Sequence, residues 1–475
     1  MSVQIVILAV YAAVLLVIAW YSTKIQKSAK GGRVLNYLIA GRNMPVILVA
    51  SMLTGLAIGG ASTVGVAQVA YTKGFSAGWY NAAWCIGGII AGILVIGHFR
   101  KARVKTVPEM MLIMFDSKTR TAAVISQLIV MISATAMQYV AGGAILAALL
   151  PDVFTFRGGM MASAAIFIFI TVVGGYWASG LTNVINVIVI YIGIIVALIK
   201  TLSMFGGLSA IQQSFEPTQT FWLDPISGLG IAGVSAYVMV MATMVISFQA
   251  SAQIGFAAKD EQTAKKGFLL GGILIFPAGF LCAIFGIAAA AKFPNLQNAA
   301  MALPQIVTQL PAAIGGIFLA ALWAADISTA VGLLMGCSTI ATEDIVKKIY
   351  TKPLTQSGEM IVSRIVVLFI SLLSFGLALT ATGILNVITT ALSILTAQTI
   401  LILSNIYFPK LCKKAAGFWM IIASVIMWAI WTYLPQLRVG PHLIYSQWAV
   451  CLVIFIITAI FAKEKAGSLI ADKPA

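Results

Sequence analysis

The sequence predicts an all-α membrane protein of about thirteen transmembrane helices, built as two inverted five-helix repeats with flanking helices. The first helix of each repeat is expected to be broken. Three observations carry this. Hydrophobic residues make up 61 % of the 475 and charged ones only 9 %, a balance that no soluble domain of this size sustains. The basic residues gather in every second connection. Two apolar spans, five apart, are interrupted at membrane depth by glycines or polar side chains.

Apolar runs long enough to cross a bilayer place the spans at 3–23, 44–71, 75–99, 118–150, 159–177, 180–205, 229–258, 266–292, 311–345, 360–384, 386–408, 415–435 and 445–462. The run at 3–23 has neither a basic segment before it nor a small-residue cleavage site after it, so it reads as a span and not as a signal peptide. The next five spans form a first repeat (44–205), and spans seven to eleven a second (229–408). The runs at 3–23, 415–435 and 445–462 flank them. Every connection is short, the longest being about twenty residues around Leu208–Gly228, so residues 1–475 form one membrane domain.

The net charge of +16 invites a nucleic-acid reading, which its distribution contradicts. Alternate loops and their flanks, beginning with Lys24–Asn43 and including Arg100–Lys105, Lys259–Lys266, Lys347–Lys352, Lys410–Lys414 and Lys463–Lys465, hold 24 of the 29 Lys and Arg residues. Only Lys73, Arg157, Lys200, Lys292 and Arg438 remain for the other side. Basic loops face the cytoplasm, which puts the N-terminus outside and the C-terminus inside a cell membrane. An odd number of spans requires the same arrangement. The five cysteines (Cys85, Cys282, Cys337, Cys412, Cys451) have no metal-ligand or redox spacing and read as small apolar residues.

The second span contains Thr54-Gly55-Leu56-Ala57-Ile58-Gly59-Gly60-Ala61-Ser62-Thr63. Two adjacent glycines let the backbone leave helical geometry, and freed carbonyls are tolerable in a bilayer where they line a cavity or bind an ion. Close helix packing through small residues is the other reading. The seventh span has Ser247, Gln249, Ser251 and Gln253 at every second position. In a continuous helix steps of two advance about 200°, which scatters these side chains around the circumference. A locally unwound segment would let them converge. The alternative is that Ser251 and Gln253 already lie near the span's end. Broken helices five spans apart are the pattern of inverted repeats with a site at the midplane.

From Pro311 to Ala341 the only charge is Asp326, followed by Ile327, Ser328 and Thr329. A carboxylate near the bilayer centre costs roughly 3 kcal/mol on insertion scales, so it is expected to face a partner, a cavity or an ion.

With these features the chain resembles the sodium:solute symporter family, over about Tyr37 to Lys410. The resemblance rests on Tyr37-Leu38-Ile39-Ala40-Gly41-Arg42, then Gly65, Tyr71 and Gly74, and then Thr106-Val107-Pro108-Glu109 and Gly174-Gly175. Gln249 and Gln253 with Ala257-Ala258-Lys259-Asp260, the segment Ala324–Thr329, and Glu343-Asp344-Ile345 complete it. It implies a leucine-transporter-type fold and sodium-coupled symport of a small polar organic solute, with sodium as the coupling ion and no other cofactor. It implies a sodium site made by the carbonyls of Gly55 and Ile58, the carbonyl of Ala325 and the hydroxyls of Ser328 and Thr329. The chemistry agrees: sodium is a hard cation, and Ala325, Ser328 and Thr329 share one helical face. Hydroxyls that merely bond the preceding turn are the ordinary alternative.

Two departures from the family pattern matter. Where members with a second sodium site carry Asp and further serines, this chain has Asn183, Val331 and Gly332, which implies one sodium per cycle. Asp326 stands where many relatives are apolar, about 60° from Thr329 and 100° from Ala325 on the helix. It tunes the ion site with Asn183, carries a proton in a proton-coupled carrier, or is held neutral by Asn183 or another polar neighbour. Candidate solute contacts are Trp79, Tyr80, Asn81, Gln138, Tyr139, Ser247, Gln249 and Gln398. Aromatics with amides suit a small neutral or singly charged solute, although such aromatics also serve as packing.

A channel would favour repeated pore segments or rings of like charge, which one Asp on one span does not supply. An enzyme is not expected, because His98 and His442 lie at span ends and no acid pair, nucleophile triad or metal cluster is present. A transporter-derived sensor would carry a signalling domain. Solute, sodium and the bilayer are the expected partners, with no nucleic acid and no obligate protein.

Overall fold

The computed structural model describes residues 33–349, 355–381 and 383–469, with scattered positions between 6 and 24. Part of the predicted first span, and Lys27, Lys30 and Lys352 of the basic loops, lie outside these residues. The described positions of the first span are helical, and the Tyr11 hydroxyl donates to Asn186 Oδ1 over 2.7 Å.

The described chain is helical throughout its apolar stretches. Among the described residues, ten helical stretches are long and apolar enough to cross a membrane, and Val46–Ala57 and Phe156–Val172 are shorter apolar helices. Three runs separate this count from the thirteen read in the sequence: the run at 3–23 lies largely outside the described residues, the runs 44–71 and 75–99 share the path from Ala61 to Leu94, and the run at 159–177 is one of the shorter helices. The expected loop between 71 and 75 is a single 3-10 turn, Gly74–Gly78, so Ala61–Leu94 continues as one helical path. Gly74 has φ +63°, and a β-carbon there would lie 2.6 Å from the Trp222 carbonyl. The expected gap between 177 and 180 is also helical, within Phe156–Met204. Forty-nine residues would extend about 74 Å if straight.

The contacts of Phe156–Met204 show that it doubles back. Near its start, Gly159 packs against the Gly143 carbonyl; in its middle, Trp177 bonds Asn36 and Gly180 meets Met44; further on, Gly193 packs against Phe318. Gly143 and Phe318 lie at the end of the bundle opposite to the pair of Arg120 and Asp344.

Both suspected interruptions are present. Val46–Ala57 ends at Ile58 (φ −95°, ψ 69°). The chain resumes through the π-turn Ala61–Gly65 into Val66–Lys73. Gly230–Ser247 ends at the extended residue Phe248 (φ −71°, ψ 129°) and is followed by Gln249–Ala257. Main-chain bonds staple the outer ends of the two broken helices together. Met44 N donates to Ala257 O (3.0 Å), and Lys259 N donates to Met44 O (3.0 Å).

Ser117–Leu149 and Ala312–Ile340 form the buried centre, whereas Gln356–Ala378, Lys414–Tyr433 and Leu443–Phe461 keep large apolar side chains exposed. Those exposed faces suit contact with lipid. The five cysteines are buried and unpaired.

At the end where the basic loops gather, charged residues form a cluster. Arg120 Nε lies 2.6 Å from Asp344 Oδ1, and Thr106 donates to Asp344 Oδ2 over 2.7 Å. Glu343 pairs with Lys105 and Lys347, each at 3.0 Å. Exposed pairs contribute little, but Asp344 is fully enclosed, where loss of its partner is costly.

Candidate functional site

Where the first helix breaks, Gly55 and Gly59 meet Thr329 in the middle of Ala312–Ile340. Thr329 Oγ1 lies 2.6 Å from the Gly55 carbonyl and 3.1 Å from that of Ala325, within reach of donating to either. Ser328 Oγ donates to Ala325 O over 2.8 Å. The oxygens of Gly55, Ala325, Ser328 and Thr329 therefore converge, and Ile58 occupies the break beside them. A β-carbon at Gly59 would collide with the Thr329 side chain, which is the physical reason for a glycine there. Carbonyl and hydroxyl oxygens of this kind suit a hard monovalent cation.

Asp326 is fully buried. Its Oδ1 accepts from Gly60 N over 3.1 Å, and Gln138 Oε1 accepts from the same N–H over 3.0 Å. Asp326 Oδ2 has no hydrogen-bond partner; it packs against Gly142, beside Ser163. Asn183 lies against Gly55 with its Oδ1 also unpartnered. Asn186 instead bonds the Ala324 carbonyl (3.2 Å). Val331 is buried and apolar, and a β-carbon at Gly332 would meet only Leu56.

A small cavity adjoins the break, lined by Gly59, Tyr80, Trp84, Gln138, Phe248 and Thr329 among others. Of the sequence-derived solute candidates, it brings Tyr80 and Gln138 together. The others sit elsewhere. Trp79 donates to Pro225 O (2.8 Å). Asn81 is buried beside Gly279 with neither amide atom hydrogen-bonded. Tyr139 shares a 2.5 Å hydrogen bond with Ser371 Oγ. Ser247 bonds Thr399 and the Leu395 carbonyl. Gln398 bonds Ser126 and Gln127. Gln249 holds the 105–107 loop, accepting from Val107 N (2.8 Å) and donating to Lys105 O (3.3 Å).

Sequence reading missed Gln127, Trp84 and Phe248. Gln127 Nε2 donates to Ser247 O (2.6 Å) and its Oε1 accepts from Gln249 N (3.0 Å), so one side chain satisfies the backbone on both sides of Phe248. A second amide inside the apolar stretch of the fourth span, eleven residues before Gln138, was the available signal. Toward the opposite end from the charged cluster, a wider opening is lined by Gln68, Arg157, Asn298 and Ile384. Ile384 lies one helical turn from cavity-lining Ile388.

The site and the fold define an ion-coupled membrane transporter. The sodium:solute symporter family model matches residues 37–424, and the chain belongs to that family. Among its relatives, the sodium/proline symporter of Salmonella typhimurium is 24 % identical over 455 residues, covering 90 % of this chain and 88 % of that one. The sodium/pantothenate symporter of Escherichia coli is 26 % identical over 348 residues, covering 70 % and 71 %. A Na+-coupled sialic acid symporter, solved in a substrate-bound outward-open state, shares the fold with a TM-score of 0.80 at 17 % identity. That match covers 98 % of this chain and 99 % of the other.

Proposed function

We propose that the chain is a secondary active transporter that carries a small organic solute with one sodium ion per cycle, by alternating access. In this reading Gly55, Ile58, Ala325, Ser328 and Thr329 hold the sodium, and Asp326 and Asn183 tune it. The solute lies in the cavity bounded by Tyr80, Trp84 and Gln138. The observation that carries the reading is the convergence of Thr329 Oγ1 with the Gly55 and Ala325 carbonyls at a helix break. Oxygens from two helices in one place give sodium a way to bias their relative position, which is what coupling requires.

The thirteen-span arrangement, the repeats at 44–205 and 229–408, and an outside N-terminus with a cytoplasmic C-terminus belong to the same proposal. The charge asymmetry of the loops supports them. A second reading, proton coupling through Asp326, draws on its unpartnered Oδ2. Uptake of candidate solutes into proteoliposomes under an imposed sodium gradient, and separately under a proton gradient, tests both. Sodium-driven accumulation is expected. Accumulation driven by protons without sodium would replace the first reading with the second, and current without solute would point to a channel.

A further inference from the structure

We propose that Asp326 is a resident carboxylate that fills the anion position at the head of the second half of the first broken helix. The carried solute is then a neutral or cationic molecule with an apolar body, and not a carboxylic acid. This rests on the reading of the adjacent cavity as the solute site.

A helix that restarts inside a membrane offers unpaired N–H groups and the positive end of its dipole, which in transporters attract anionic groups of the substrate. Here one such donor, Gly60 N at the residue before Ala61–Gly65, is already taken. It points to Asp326 Oδ1 (3.1 Å) and Gln138 Oε1 (3.0 Å). One N–H has no capacity for a third acceptor. The fit is close, because a β-carbon at Gly60 would lie 2.6 Å from Asp326 Oδ1. A solute carboxylate would have to displace a buried side-chain acceptor and then sit beside the carboxylate it displaced.

The rest of the cavity agrees. Leu56, Met244, Phe248 and Leu333 supply apolar wall. Trp84 Nε1 is a buried donor on the same helix face as the Tyr80 hydroxyl, and this pair is able to meet one neutral acceptor. Tyr80 and Trp84 add aromatic wall, which suits a flat apolar group or a cation. No Lys, Arg or His lines the cavity to balance an acid.

The test compares full-length wild type, Asp326→Ala and Asp326→Asn in detergent, in sodium acetate and in sodium chloride at equal sodium and ionic strength, reading thermal stability. Acetate is expected to leave the wild type unchanged and to raise the midpoint of Asp326→Ala by several degrees in a saturable way, because it occupies the vacated position at Gly60. Asp326→Asn, which keeps an oxygen there, should not respond. If Asp326→Ala is too unstable in chloride, recovery of monodisperse protein in acetate is the same readout. The proposal is overturned if acetate stabilises the wild type as it does the variant, or if Asp326→Ala gains nothing from it in either measure. It is also overturned if, among an amine, an amide and a carboxylate on one cyclohexyl body, the carboxylate stabilises the wild type. Sodium against potassium on the wild type tests the coupling reading separately, so the two can fail independently.

Discussion

Gln127 and Gln138 stand eleven residues apart on Ser117–Leu149, three turns of helix on nearly one face, and each serves a different helix break. Gln127 bonds both sides of Phe248, whereas Gln138 shares Gly60 N with Asp326. This asymmetry predicts an order. Gln127→Leu leaves a buried carbonyl and a buried N–H without partners, at about 1–3 kcal/mol each. Gln138→Leu leaves Gly60 N with Asp326 still in place. Thermal unfolding in one detergent should rank Gln127→Leu clearly below Gln138→Leu, and equal midpoints would contradict the bracing assigned to Gln127.

The Ser328→Ala/Thr329→Ala double variant removes two oxygens from the proposed sodium site. Both hydroxyls bond the carbonyl of Ala325 on their own helix, and only Thr329 also reaches Gly55, so folding should survive. Apparent sodium affinity in uptake should fall at least tenfold, with solute affinity following through linkage. Unchanged sodium dependence would remove these residues from the site.

Asn183, Val331 and Gly332 give the chain no acid and no extra hydroxyls for a second ion. Uptake at fixed solute should therefore rise hyperbolically with sodium. A Hill coefficient near two would refute one-ion coupling.

Gly59→Ala places a methyl group on Thr329, whereas Gly376→Ala meets nothing within 4 Å. The first substitution should weaken sodium-dependent stabilisation several-fold or more, and the second should leave it intact. Parallel titrations of the two variants decide the matter.

His442 sits at the head of Leu443–Phe461. Its Nδ1 accepts from Ile444 N, and its Nε2 is paired with the Thr389 hydroxyl, each over 3.2 Å. Burial pushes its pKa down from 6.5 to about 4. The neutral ring is favoured in the fold, so its contribution is whole above pH 6.5 and is lost as the pH falls toward 4, by at most about 3 kcal/mol. His442→Gln should flatten the fall in melting temperature across that window. An unchanged profile would assign the acid sensitivity to other groups.

Much of this was legible in the sequence, because the signals were local. Gly59-Gly60 and the polar alternation from Ser247 to Gln253 announced the breaks, and the spacing of Ala325, Ser328 and Thr329 announced one face. What was hidden depends on distant partners. Gln249 looked like a solute ligand because its polarity is visible, while the loop it fastens at Lys105 and Val107 lies more than 140 residues earlier. Gln127 gave no local signal of its role, because the backbone it braces at Ser247 lies 120 residues further along. The run from Phe156 to Met204 was divided by composition, and hydrogen bonding carries it through the division.

The main-chain staple between Met44 and the Ala257–Lys259 segment has a consequence for mutational drift. Its two bonds use only peptide groups, so the exposed side chain of Lys259 can change without loosening it, whereas Met44, Ala257 and Ala258 are buried. Among single substitutions, Lys259→Pro abolishes one bond outright by deleting the donor. A random mutant library should accordingly tolerate most residues at position 259 and reject proline, a signature that a latch made of charged side chains would not leave.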